Sequence, residues 1–135
     1  MGRVARQVRF LLAPILGAWY LRFVRVIARG TLNDFVKNRV ARAERAAVKT
    51  QLDAWHDRVI KAGWKSSAEL KTEFGSASIL TAERVVFNIK GNDYRLIASV
   101  NYRYQILFVK WIGTHKEYDA IDAREVDYDE DRYSS

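Results

Sequence analysis

The chain has no cysteine, and its 135 residues include one proline, one methionine and two histidines. Without cysteine there can be no disulfide, thiolate zinc site, iron–sulfur ligation or cysteine nucleophile, which suits a reducing compartment. His56 and His115, with no HExxH spacing, argue against a histidine-built metal site. A phosphate-binding glycine loop, a G-x-S-x-G elbow and a dinucleotide fingerprint are also missing, so nucleotide-cofactor and serine-hydrolase chemistry lack support and no cofactor is expected. The length leaves room for one domain with a single modest core. What is present is 49% hydrophobic and 13% aromatic residues, the composition of a folded chain. A formal charge of +7 points to polyanion partners, nucleic acid first.

The charge is unevenly spread. Residues 1–30 hold six arginines and no acid, residues 31–66 eight basic and four acidic groups, residues 67–122 seven of each, and residues 123–135 two basic and five acidic groups. Three units follow. Residues 1–23 put Arg3, Arg6 and Arg9 before an apolar run from Phe10 to Leu21, which lacks an A-x-A-like cleavage site and falls short of the roughly 20 residues a membrane span needs. They read as a non-native extension from an upstream start, as an extra helix on the domain, or as a segment that contacts a membrane without stable insertion. Residues 24–122 read as the folded domain. Residues 123–135, with Asp127-Tyr128-Asp129-Glu130-Asp131, read as an acidic disordered tail, or as a screen for the basic surface.

Within the domain, Val24, Val26 and Ile27 form a short strand ending at Arg29-Gly30, and Thr31 is placed to cap a helix. Between Leu32 and Ala62, Val48, Leu52, Trp55 and Val59 recur at helical spacing, with a break expected near Asn38. Arg39, Arg42, Arg45 and Lys49 form a basic stripe that suits phosphate binding, an acidic partner, or simply a solvated face. Ser66-x-x-Glu69 is a capping box for a short helix that Gly75 closes. From Arg84 the period becomes two. Val85, Phe87 and Ile89 alternate with Val86, Asn88 and Lys90 up to Gly91-Asn92-Asp93, a tight turn, and a return strand follows from Tyr94. Gln105 to Ile112 reads as a strand covered on both faces, and Thr114-x-x-Glu117 caps a last helix over His115 to Ile121. The fold class is α+β, a small antiparallel sheet with helices packed on one face.

Two polar groups could carry chemistry. With a two-residue hairpin loop, Asn88, Lys90 and Arg95 share a sheet face, where two cations and an amide can grip a phosphate. Gly113-Thr114-His115-Lys116-Glu117-Tyr118-Asp119 is the densest polar run. There His115 can transfer protons, Lys116 can stabilise a phosphorane, and Tyr118 can stack on a base or donate a proton; the same pattern also suits plain helix capping.

Three runs, Arg25-Val26-Ile27-Ala28-Arg29-Gly30-Thr31-Leu32, Phe87 to Leu96 and Ile112 to Asp119, resemble in order the HigB-type toxins of bacterial type II toxin–antitoxin modules. The resemblance covers Val24 to Ala123. It implies a RelE/ParE-like fold, a cytoplasmic mRNA interferase that cuts messages on the translating ribosome, and neutralisation by a helix-turn-helix, HigA-like antitoxin. More distant RelE-type toxins place a basic residue where Arg95 falls and polar residues where His115 and Tyr118 fall. The expected catalytic set is Arg95, His115, Lys116 and Tyr118, and the expected RNA-binding set is Asn88, Lys90, Arg42, Arg45 and Lys49, with no metal. Two other readings share the fold: a non-catalytic, ParE-like inhibitor of a protein target, and an RNA-binding module that leaves RNA uncut. An interferase requires Arg95 and His115 to be presented together; the others do not.

Overall fold

A computed structural model describes residues 23–134 of the chain. The expected extension over residues 1–23 lies, Phe23 apart, outside the described residues. The elements in order are β1 (Arg25–Ile27), α1 (Arg29–Arg39), a 3-10 turn (Arg42–Glu44), α2 (Arg45–Ile60), α3 (Ser67–Glu73), β2 (Ser78–Ile79), β3 (Arg84–Ile89), β4 (Tyr94–Asn101), β5 (Ile106–Thr114), α4 (His115–Tyr118) and α5 (Glu130–Tyr133). The five strands form one sheet in the order β1-β5-β4-β3-β2, antiparallel except for β1 against β5. This is the expected α+β architecture, with one strand, β2, that the sequence does not announce.

Alternation along β3 and β4 sends Val85, Phe87, Ile89, Leu96 and Ala98 into the main core, against Leu32, Phe35, Val48, Leu52, Trp55 and Val59 of the helices. Aromatic edge-to-face pairs lock this layer: Trp55–Phe87 at 5.3 Å, Phe74–Phe87 at 5.0 Å and Trp64–Phe74 at 5.8 Å between ring centroids. Each such pair contributes about 0.5–1.5 kcal/mol beyond its buried area. The opposite sheet face holds a second, smaller core. Val86, Ile97 and Trp111 are buried there beneath Leu80, Tyr118, Ile121 and Val126. β5 is thus covered on both faces, as its continuous apolar run implies.

Several local expectations need correction. α1 starts at Arg29, because extended Ala28 (φ −126°, ψ 142°) already supplies the N-cap backbone; Thr31 lies buried inside the first turn and caps nothing. The break expected near Asn38 does occur, at Val40, where φ −92° and ψ 135° are extended and the buried Val40 side chain anchors the kink. The basic stripe is therefore not one helical face but is divided among α1, the 3-10 turn and α2. α4 ends at Tyr118, since Ile121 is drawn down onto the second core.

The largest departure is the tail. Residues 123–134 are not a free acidic end. Val126 joins the second core, Arg84 donates through Nη1 to the carbonyls of Ala123 (3.1 Å) and Val126 (2.6 Å), and Asp127 pairs with Lys110 at 3.1 Å. Tyr133 is 1% exposed and packs edge-on to Phe35 at 6.2 Å. Its hydroxyl accepts from the Ile112 N–H (2.8 Å) and donates to the Ile112 carbonyl (3.1 Å). β1 pairs with β5 only from Ile106 to Phe108, so farther along β5 an open edge remains and Tyr133 satisfies it. Charge counting could not reveal an anchor consisting of one tyrosine.

Candidate functional site

The β3–β4 hairpin and the exit of β5 meet at one end of the sheet. In the β3–β4 ladder Asn88 stands opposite Arg95, and in the β4–β5 ladder Arg95 stands opposite Gly113 and Tyr94 opposite Thr114. Thr114 and Glu117 form the expected capping box: the Thr114 hydroxyl accepts from the Glu117 N–H (3.1 Å) and Oε1 of Glu117 accepts from the Thr114 N–H (2.9 Å). The His115 N–H donates to the Asp93 carbonyl at 2.9 Å, tying the start of α4 to the hairpin turn. The two stretches that the sequence marks separately are thereby joined.

Arg95 is half-buried. Its Nη1 donates to the Asn92 carbonyl at 2.9 Å, its Nη2 lies 2.9 Å from Nδ1 of His115, and its guanidinium stands 5.9 Å from the Tyr118 ring centroid. A guanidinium has donors only, so Nδ1 must offer its lone pair and the neutral ring carries its proton on Nε2. That Nε2 faces Oδ2 of Asp119 at 3.5 Å. Asp119, His115 and Arg95 form a line, with the carboxylate steadying one ring nitrogen and the guanidinium holding the other.

Beneath this line lies the Trp111 ring, with Tyr118 tilted against it at 6.3 Å and Arg132 stacked on it at 4.9 Å. Gly113 is required by this close approach. A Cβ there would stand 2.5 Å from Cη2 of Trp111 and 2.8 Å from Nη2 of Arg132. Nη2 of Arg132 also reaches Glu117 at 3.3 Å, linking the tail to the capping box. Burial works against the charge on Glu117, yet the Thr114 N–H, Arg132 and the Thr114 hydroxyl together hold its pKa below the usual value.

Of the expected catalytic set, Arg95 lies against both His115 and Tyr118, and Lys116 is exposed on α4 next to His115 in the chain. The RNA-binding set is dispersed. Asn88 lies on the Arg95 side of the hairpin and donates to the Ser76 carbonyl at 3.2 Å. The hairpin has the register of the Gly91-Asn92 loop, but Lys90 adopts φ 55° and pairs with Asp93 at 3.0 Å, so it leaves the strand alternation and does not share a face with Arg95 and Asn88. Arg45 donates to the Val40 carbonyl at 3.0 Å and Lys49 pairs with Asp53 at 2.7 Å, which Arg29 also binds. Lys49 and Arg29 hold the Asp53 carboxyl below its usual range. Arg42 is exposed. Among the described residues no group of three or more His, Asp or Glu side chains is placed to hold a metal ion, and no helix is long and apolar enough to cross a membrane.

Sequence reasoning missed Asp119, Arg132 and Gly113 as site residues. Asp119 had a signal, its i,i+4 spacing from His115; Arg132 had none, since it arrives from the tail.

Residues 48–121 match the family described as HigB toxin, RelE-like toxic component of a toxin–antitoxin system. The chain is 34% identical over 77 residues to the mRNA interferase toxin HigB of Escherichia coli strain K12, covering 56% of this chain and 74% of that protein. The mRNA interferase HigB proteins of Escherichia coli O157:H7 and Shigella flexneri match to the same extent. The chain belongs to the HigB toxin family, the RelE-like toxic components of toxin–antitoxin systems.

Proposed function

We propose that this toxin is an endoribonuclease that cuts mRNA at the Arg95–His115 centre without a metal ion, acts in the cytoplasm on messages held by the ribosome, and is neutralised by a HigA-like helix-turn-helix antitoxin. The relatives' activity as mRNA interferases supports the substrate class. The observation that carries the reading is the 2.9 Å contact between Arg95 and Nδ1 of His115, because a base and a phosphate-binding cation must stand together for RNA cleavage, whereas an inhibitor can scatter them.

The reaction needs a base for the 2′-hydroxyl, positive charge for the pentavalent phosphorane and an acid for the leaving 5′-oxygen. When a phosphate enters, Arg95 turns its donors from the imidazole to the phosphoryl oxygens, as a planar fork suits. This frees the Nδ1 lone pair, which takes the 2′-hydroxyl proton while Asp119 stabilises the resulting imidazolium. The 2′-oxygen attacks the adjacent phosphorus, the bond from phosphorus to the 5′-oxygen breaks, and Lys116 delivers the proton to the departing oxygen. Tyr118, packed against Trp111, holds the guanidinium in place. The products are a 2′,3′-cyclic phosphate and a 5′-hydroxyl. The toxin domain is residues 24–122 with the docked segment 123–134 completing it.

Inducing the chain in cells and mapping 5′ ends of cellular RNA, with and without ongoing translation, tests this reading. New ends within coding regions, lost when translation is blocked, are expected. An RNA population unchanged by induction contradicts it.

A further inference from the structure

Arg132 reaches from α5 onto the sheet face that carries Arg95, Trp111 and Tyr118. Its guanidinium lies 4.9 Å from the Trp111 ring centroid, and its Nη2 stands 2.8 Å from the place a Gly113 Cβ would occupy. Gly113 is directly opposite Arg95 in the β4–β5 ladder, and residues paired in this way point to one face with Cβ positions about 4.5–5.5 Å apart. The two arginines are therefore neighbours on one surface. Glycine inside a strand weakens it and marks a close approach, here that of Trp111 and Arg132.

A strut between the tail and α4 would account for the contacts of Nη2, which lies 3.3 Å from both the Ile112 carbonyl and Oε1 of Glu117. It does not account for three other features. Each of those acceptors has a second donor, the Tyr133 hydroxyl at 3.1 Å for Ile112 and the Thr114 N–H at 2.9 Å for Glu117. Arg132 can turn its donors outward and leave neither of them unpaired. The guanidinium is not satisfied where it lies, since Nε is buried without an acceptor among the described residues, while the side chain as a whole stays 24% exposed. The charge at the centre is also balanced without it, because the hairpin turn and α4 bring Lys90, Arg95 and Lys116 against Asp93, Glu117 and Asp119. RNA is drawn to a surplus of positive charge, and Arg132 is the cation that the tail adds to this face.

We propose that Arg132 is a second phosphate-binding residue, gripping the RNA phosphate next to the one that is cut while Arg95 takes the cut phosphate itself. The proposal rests on the nuclease reading for which phosphate is cut, and on the geometry of the tail for the contact. A guanidinium stacked on an indole directs its N–H donors in the plane of the stack, where phosphate oxygens can replace a carbonyl and a carboxylate. Trp111 is then a platform for both arginines, directly for Arg132 and through Tyr118 for Arg95. Holding the neighbouring phosphate fixes the register of the strand, so that one particular phosphate falls on Arg95.

The test uses the full chain and two RNA probes in which fluorine replaces every 2′-hydroxyl, so that neither can be cut: a dinucleotide with a single phosphate and a tetranucleotide with three. Affinities at fixed salt are read by NMR titration of the His115 ring resonances. Arg132→Gln should weaken the tetranucleotide about tenfold or more, as the loss of a hydrogen bond between charged groups implies, and leave the dinucleotide within about twofold. Arg132→Lys, which keeps the charge and loses the fork, should fall between parent and Arg132→Gln. Arg132→Gln combined with Glu117→Gln has the parent's net charge and keeps a capping-box residue at position 117, and it should bind the tetranucleotide as weakly as Arg132→Gln alone. Equal weakening of both probes, no weakening of either, or recovery of the parent's affinity in the double variant overturns the proposal and leaves the nuclease reading standing. Arg132-dependent binding of the tetranucleotide by a protein that cuts no RNA supports the phosphate contact and removes the nuclease reading.

Discussion

Changing Tyr133 to Phe removes one oxygen atom and two hydrogen bonds. Ile112 pairs with Leu96 on one side, and its N–H and carbonyl reach the Tyr133 hydroxyl at 2.8 and 3.1 Å. The ring, 1% exposed and packed on Phe35 and Tyr128, should stay where it is, so no cavity opens; the Ile112 carbonyl keeps Nη2 of Arg132 at 3.3 Å, and the cost is that of the Ile112 N–H left unpaired. A buried group without its partner costs about 1–3 kcal/mol. For a domain of this size each kcal/mol corresponds to roughly 4–8 °C in Tm, so Tyr133→Phe should melt on the order of 10 °C below its parent. Tyr133→Ala adds the loss of the ring, about 3–5 kcal/mol for a buried aromatic residue, and should leave little folded protein. Thermal and urea unfolding of proteins that all carry Arg95→Ala, to spare the host, reads the difference. A Tyr133→Phe protein within about 0.3 kcal/mol of its parent, far below the cost of an unpaired group, would refute the tail as an anchor of β5.

Gly113→Ala should lose about 1–3 kcal/mol through overpacking against Trp111 and reduce RNA cutting as Trp111 and Arg132 are pushed from beneath the centre, whereas Gly30→Ala, in α1 with nothing near its added methyl, should gain about 0.5–1 kcal/mol; chemical denaturation checks both. Burial, with Arg29 second, pushes the His56 pKa below its ordinary value, so the folded state resists its protonation. Stability should therefore fall as pH drops from about 6.5 toward the lower folded pKa and then level off, and His56→Gln should flatten that limb in pH-dependent unfolding. Asp119→Asn should lower the cutting rate while leaving the melting temperature near the parent's. Arg42→Glu should make RNA affinity less sensitive to salt; a filter-binding series with an unchanged slope would return Arg42 to a solvated surface.

The strands were the easiest part of the fold to read from sequence, because Val85, Phe87 and Ile89 alternate strictly and face one core. Capping at Thr114 was legible because two side chains three residues apart satisfy two backbone donors reciprocally. β2 was not, since two residues carry no period, and neither was the α1 start, where backbone geometry at Ala28 replaces a capping side chain. Arg95 and His115 were named from sequence, but the 2.9 Å contact between them depends on the β4–β5 register, which pairs Tyr94 with Thr114. Lys90 left its expected face because a turn imposes φ 55° on it. The tail misled for a simpler reason: its acids dominate the composition, while Tyr133 and Val126 determine its placement.

The most direct test of the Arg95–His115 centre is the chemistry of the RNA ends it makes. Cellular RNA cut by the parent chain should end in 2′,3′-cyclic phosphate upstream and 5′-hydroxyl downstream, and both ends should disappear in an Arg95→Ala, His115→Ala protein that still accumulates folded. Cut RNA bearing 3′-hydroxyl ends, or undiminished cutting by the double variant, would contradict the account.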